Sequence, residues 1–166
     1  MSQVAERGMQ PGRLLNLTSS SLVGSILYIE DDEDTRELVT YLLALSNYKV
    51  VPAENYDDAL LLARANQFDL YLIDNWVSGG SGIDLCKKLR EFNPWTPILF
   101  YSGAAQERDK QQAFAAGAQG YLVKPVDNDE LIEEVSRIIS AAKRARGDDN
   151  VERDVLKGQE CDIKDN

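Results

Sequence analysis

From residue 25 to residue 142 the chain alternates two patterns of apolar and polar positions. Short apolar runs at 26–30 (ILYIE), 48–52 (YKVVP), 69–73 (DLYLI), 97–101 (PILFY) and 119–123 (QGYLV) predict strands. The near-continuous runs 70–73 and 98–101 suit strands covered on both faces, as in a parallel sheet. The run 48–52 is more polar and ends in Pro52, which suits a sheet edge. Helical spacing predicts helices over 34–46, 56–66, 82–91, 106–116 and 128–142. The first places Leu38, Tyr41, Leu42 and Leu45 on one face, and the second Ala59, Leu60, Leu62 and Ala63, with Asn55 as its N-cap. The third carries Ile83, Leu85, Cys86 and Leu89; the fourth is stopped by Gly117; the last carries Leu131, Val135, Ile138 and Ile139. Five successive βα units predict an α/β fold, a parallel sheet with helices on both faces. In such a fold the ligand lies beyond the carboxyl ends of the strands.

Charge divides the chain into three parts. The 166 residues hold 28 Asp and Glu, 18 Lys and Arg, a net charge of −10 and no histidine. Residues 1–24 carry +1 and residues 143–166 carry −1, so residues 25–142 hold the whole −10. The first part is expected to be a flexible leader with Leu14, Leu15 and Leu17 as its apolar cluster. The last part is charged and poor in large apolar residues, and is expected to be mostly disordered. The acidic balance argues against nucleic-acid binding, which needs clustered Lys and Arg. The lack of histidine excludes Ser-His-Asp and Cys-His catalysis and a phosphohistidine among these residues. Two cysteines, Cys86 and Cys161, form no disulfide framework, and no apolar run has the length of a membrane span. The expected location is the cytoplasm.

The predicted strand ends gather one set of chemistry. The first ends in Glu30-Asp31-Asp32, the third in Asp74, the fourth in Ser102 and the fifth in Lys124-Pro125. Carboxylates packed together repel unless a cation compensates them, and an all-oxygen set favours a hard ion such as Mg²⁺. The acids 32–34 are equally explained as a helix N-terminus. Asp74 could simply cap the following loop, but beside a cation it could act as a nucleophile toward a phosphoryl group. Lys124 and the Ser102 hydroxyl could then meet the charge on the phosphoryl oxygens.

These residues bring in a family. ILYIEDDEDTREL, LYLIDN, ILFYSGA and GAQGYLVKP, in that order, resemble the four signatures of the receiver domain of two-component response regulators over about residues 25–142. The resemblance implies a flavodoxin-like (βα)5 doubly wound sheet with strand order 2-1-3-4-5. It implies that Asp74 accepts phosphate from a phosphohistidine on a sensor histidine kinase or histidine phosphotransfer protein. It implies Mg²⁺ held by Asp31, Asp74 and the backbone carbonyl of Trp76, with Glu30 acting through water. Lys124 would pair with the phosphoryl group, and Ser102 and Tyr121 would form the switch. The output would be protein contact, with or without dimerisation, at the face of the fourth helix, fifth strand and fifth helix, in a stand-alone signalling receiver that is not an enzyme in the usual sense.

The segment Val77-Ser78-Gly79-Gly80-Ser81-Gly82 departs from the family pattern, in which only Gly82 matches well, and is expected to be more flexible than usual. Two other readings are weighed. A phosphorylation-independent module on the same fold is favoured by that loop and opposed by the intact set Asp31, Asp74, Ser102 and Lys124. A nucleotide-binding α/β enzyme is opposed by EDDED after the first strand, where acids would repel phosphates.

Overall fold

The computed structural model describes residues 22–159, with residues 148–159 described as backbone alone. The parallel strands are β1 (Gly24–Ile29), β2 (Tyr48–Ala53), β3 (Leu70–Ile73), β6 (Ile98–Ser102) and β7 (Gly120–Val123). Between β3 and β6 lies an antiparallel hairpin, β4 (Trp76–Val77) and β5 (Gly80–Ser81). The helices are α1 (Glu33–Leu45), α2 (Tyr56–Ala65), α3 (Gly82–Phe92), α4 (Glu107–Ala115) and α5 (Asn128–Gln159). The sheet order is β2-β1-β3-β6-β7, which is the expected 2-1-3-4-5 order of a flavodoxin-like fold. All four pairings are parallel.

Side-chain alternation along the strands builds two cores. Ile26, Tyr28, Leu70, Leu72, Leu99 and Tyr101 meet α1 and α5 on one face. Leu27, Ile29, Tyr71, Ile73, Ile98 and Phe100 meet α2, α3 and α4 on the other. Leu131, Val135, Ile138 and Ile139 of α5 are buried as a set, as the helical spacing predicts. In α2, Ala59 and Ala63 are buried, and Asn55 accepts a hydrogen bond from the Asp58 N–H at 2.9 Å as its cap.

The first helix is rotated relative to the expectation. Leu38, Tyr41 and Leu45 are 64–65% exposed, while Val39 and Leu43 are buried. Leu42 is half-buried between these two stripes. Two apolar stripes overlap on this helix, so periodicity alone does not choose between them. Arg36 chooses: its Nη1 donates to the Glu30 carbonyl at 2.9 Å, which turns the line Arg36, Val39, Leu43 toward the sheet.

The carboxyl-terminal boundary also differs. α5 continues past residue 142 to Gln159, where a mostly disordered tail from 143 is expected. Residues 143–159 lack proline and hold five Arg and Lys with two glycines, a composition that can propagate a helix already nucleated by the packed turns of α5. The expectations for residues 1–21 and 160–166 fall outside the described residues.

Cys86 shows how tightly the second core is closed. The residue is 0% exposed, its thiol donates to the Ala116 carbonyl at 3.3 Å, and burial pushes its pKa up to about 11. The thiolate is the reactive form. Cys86 is therefore expected to resist iodoacetamide at pH 8 in the folded protein and to react once urea unfolds it. Peptide mass mapping checks this; alkylation of Cys86 in the folded protein would contradict the packing.

Candidate functional site

Three strand ends converge on Asp74. The residue directly follows β3, a strand buried along its whole length, and is itself 8% exposed. Its Oδ1 accepts the Ser102 hydroxyl at 2.5 Å and the Trp76 N–H at 3.2 Å. Its Oδ2 pairs with Lys124 Nζ at 2.8 Å. Ser102 closes β6 and Lys124 follows β7, so parallel register brings both beside Asp74. The Lys124-Pro125 peptide bond is cis.

The acidic run after β1 divides by role. Asp32 is the N-cap of α1, accepting the Thr35 N–H at 2.9 Å, and Glu33 and Asp34 occupy the first turn. The helix-terminus reading therefore accounts for these three. Glu30 is different: it is 2% exposed and ion-paired with Lys124. Asp31 is exposed, and its Oδ2 accepts the Ser78 hydroxyl at 3.2 Å. Glu30, Asp74, Ser102 and Lys124, chosen as strand-end residues, are thus joined directly, while the Asp31 side chain is held by Ser78.

Burial sets the electrostatics. Removal from water pushes the Glu30 pKa above the usual carboxylate range, against the opposing pull of Lys124. Burial also acts to lower Lys124, but hydrogen bonds and charge from Asp74 and Glu30 outweigh it and leave the ammonium more firmly protonated than usual. Lys124 is thus a fixed cation between two carboxylates, and without it they would repel.

Tyr121 lies on β7 with its ring stacked on Phe100, centroids 5.7 Å apart, and its hydroxyl donates to the Ala104 carbonyl at 2.7 Å. Ser102 is already turned onto Asp74, and the same hydroxyl accepts the Ala104 N–H at 3.3 Å. The two residues expected to form a switch thus meet on one loop.

Three neighbours escaped the sequence reading. Arg36 Nη1 bridges the backbone carbonyls of Glu30 and Asp31 at 2.9 and 3.2 Å. The Tyr28 hydroxyl donates to Glu30 Oε2 at 3.1 Å; as residue i−2 of an extended strand, Tyr28 was findable by period-two spacing. Ser78 holds Asp31 from the loop expected to be flexible. That loop is a paired hairpin, with Trp76 opposite Ser81 and Val77 opposite Gly80. Its turn uses Gly79 at φ +89° and buries Val77.

Among the described residues, no group of three or more His, Cys, Asp or Glu side chains stands arranged to hold a metal by itself. Mg²⁺ commonly keeps several waters and takes one or two carboxylates. Of the carboxylates here, Asp31 is exposed, Asp74 is buried and Glu30 is ion-paired with Lys124.

Comparison with known proteins agrees with this geometry. The family model described as the response regulator receiver domain matches residues 26–136. The transcriptional regulatory protein ResD of Bacillus subtilis is 32% identical over 119 residues, which are 72% of this chain and 49% of ResD. The cell cycle transcriptional regulator CtrA of Caulobacter vibrioides is 32% identical over 122 residues, 74% of this chain and 52% of CtrA. The chain therefore spans about half the length of these curated relatives. The receiver domain of the Francisella response regulator 1452 superimposes with a TM-score of 0.68 at 27% identity, covering 71% of this chain and 98% of that one. Chemotaxis response regulator CheY4 of Vibrio cholerae gives a TM-score of 0.66 at 28% identity, covering 69% of this chain and 97% of that one. With two-thirds of its length matched and the strand-end residues assembled, this chain belongs to the response regulator receiver family, the signalling module of two-component systems.

Proposed function

We propose that the chain accepts a phosphoryl group on Asp74 from a phosphohistidine in a Mg²⁺-dependent reaction, and that the phosphorylated form changes its protein contacts. One observation carries the reading: a buried carboxylate, Asp74, is held at once by the Lys124 ammonium and the Ser102 hydroxyl. A carboxylate oxygen of Asp74 attacks phosphorus, the new P–O bond forms as the P–N bond breaks, and the imidazole leaves with a proton. Lys124 stays beside the transferred group and pairs with its oxygens. The Ser102 hydroxyl moves its hydrogen bond from the carboxylate to a phosphoryl oxygen. Asp31, Asp74 and the Trp76 carbonyl would hold Mg²⁺, with Glu30 through water; the ion would neutralise charge developing on the phosphoryl oxygens.

The donor lies outside these residues, since they contain no histidine. A sensor histidine kinase or histidine phosphotransfer protein is the class that supplies it. Sensor histidine kinase AruS of Pseudomonas aeruginosa contains a matching stretch, 32% identical over 136 residues. The output face is formed by α4, β7 and α5 around Tyr121. Phosphorylation shifts the population of states at that face, and a cytoplasmic location fits this chemistry. Among the described residues no helix is long and apolar enough to cross a membrane.

Incubation with acetyl phosphate tests the reading. The mass of one phosphoryl group is expected to be gained with Mg²⁺ and not gained when EDTA removes the metal before the donor is added. The adduct is expected to be acid-stable and base-labile. Protein that stays unmodified under saturating donor and metal would support a phosphorylation-independent module instead.

Trp76 bears on how long the phosphate lasts. The residue is 68% exposed, and its backbone N–H donates to Asp74 Oδ1. It lines a cleft of about 420 Å³ between α3 and α4. The bulky ring stands near the path of a hydrolytic water and shields the acyl phosphate. Trp76→Asn is expected to shorten the lifetime severalfold once donor is removed; an unchanged or longer lifetime would contradict the shielding role.

A further inference from the structure

The outer stripe of α1 is apolar and uncovered by the described residues. Leu38, Tyr41 and Leu45 stand at i, i+3 and i+7, each 64–65% exposed. They form a line roughly 10 Å long, at about 1.5 Å rise per residue. Singly exposed apolar residues need no explanation, but an aligned set of three marks a contact surface. The line has charged and apolar ends. Glu33, Asp34 and Glu37, all exposed, stand at its amino-terminal end. At its carboxyl-terminal end, Leu22 and Val23 are themselves 62% and 46% exposed, and the Val23 N–H donates to the Asn47 carbonyl at 2.9 Å.

The chain thus arrives at this stripe from residues 1–21, which lie outside the described residues. Their densest apolar group is Leu14-Leu15-Asn16-Leu17, with Arg13 directly before it. The polar run Thr18 to Ser21 separates this group from Leu22. Five residue steps, from Leu17 to Leu22, reach at most about 17 Å, enough to turn back from Asn47 onto Leu45. We propose that residues 13–17 of this chain dock on the outer stripe of α1, apolar side chains on Leu38, Tyr41 and Leu45. Chain direction then sets the charges. Leu17 lies over Leu45, the Leu14–Leu15 pair lies toward Tyr41 and Leu38, and Arg13 falls at the acidic end formed by Glu33, Asp34 and Glu37. The leader, at +1, meets a domain that carries −10.

Limited trypsin digestion of the full chain tests this, because Arg13 and Arg7 are both cleavage points in the leader. Cleavage follows the population of the undocked form when opening is fast. Leu38→Ser with Leu45→Ser alters exposed positions and is expected to speed cleavage after Arg13 about tenfold, as for a leader docked about nine-tenths of the time. Cleavage after Arg7 should stay unchanged. The reciprocal variant, Leu15→Ser with Leu17→Ser, changes the proposed occupant itself and should give the same acceleration. Equal rates after Arg13 in all three proteins would overturn the proposal. Protection of Arg13 that falls away as the protein is diluted would also overturn it, because the occupant would then be a second copy.

Discussion

Lys124→Met is expected to lower stability by about 3 kcal/mol at pH 7 in the absence of divalent metal, the loss typical when one partner of a buried ion pair is removed. Lys124 is the cation shared by Glu30 and Asp74, whose side chains are 3% and 11% exposed. Methionine leaves two carboxylates facing each other in a poorly solvated place. The Glu30 carboxyl, already held above the usual range by burial, then loses the cation that pulls it down. A group so raised contributes stability below its unfolded pKa and loses it as pH rises through the folded pKa. The deficit relative to the wild type should therefore be small near pH 4 and complete by neutral pH. Millimolar Mg²⁺ should narrow it at pH 7, since a bound cation replaces the missing charge. Urea denaturation at several pH values, with and without Mg²⁺, measures all three effects. A deficit that ignores both pH and metal would show that Lys124 acts through packing alone.

Gly82→Ala should be the most disruptive single methyl group near the site. An added Cβ would stand 2.2 Å from the Asp74 carbonyl oxygen and 2.9 Å from the Asn75 Cα, both backbone atoms. The Gly82 N–H donates to the Asn75 carbonyl at 2.8 Å, so the start of α3 is fixed against the chain that carries the acceptor. Neither element can yield without moving Asp74 away from Ser102 and Lys124. A loss of about 3 kcal/mol or more is expected, at the upper end for overpacking, together with slower phosphorylation. Gly103→Ala is the control, because nothing lies within 4 Å of its added Cβ. Equal urea midpoints for the two variants would contradict the close approach at Gly82.

This glycine explains why one position of an otherwise unusual loop keeps the family pattern. The loop 77–81 needs only to make a hairpin and place Ser78, whereas residue 82 must admit the backbone of Asp74. Sequence could single out Gly82 by resemblance, but only the fold supplies the contact.

The same contrast runs through the molecule. The meeting of Glu30, Asp74, Ser102 and Lys124 was legible because each directly follows, or closes, a short apolar run, and parallel strands put such ends together. The buried set of α5 was legible from simple periodicity, and the sheet order from the family resemblance. Arg36 and Ser78 were not, because their partners depend on the rotation of α1 and on the path of the β4–β5 hairpin. The rotation of α1 was hidden by two apolar stripes on one helix, Val39 with Leu43 and Leu38 with Tyr41 and Leu45. The continuation of α5 was hidden because the polar composition of 143–159 says only that the segment lacks a core of its own. It does not say that a helix already packed against the sheet must stop.

The phosphorylated atom is the most direct point of attack on the whole account. Borohydride reduces an acyl phosphate to the alcohol, so a phosphorylated aspartate becomes homoserine. After treatment with acetyl phosphate and Mg²⁺, then borohydride, peptide sequencing by mass spectrometry is expected to find homoserine at position 74 alone, and no homoserine in Asp74→Asn. Homoserine at Asp31 or at another carboxylate, or equal modification of Asp74→Asn, would contradict the assignment of Asp74 as the acceptor.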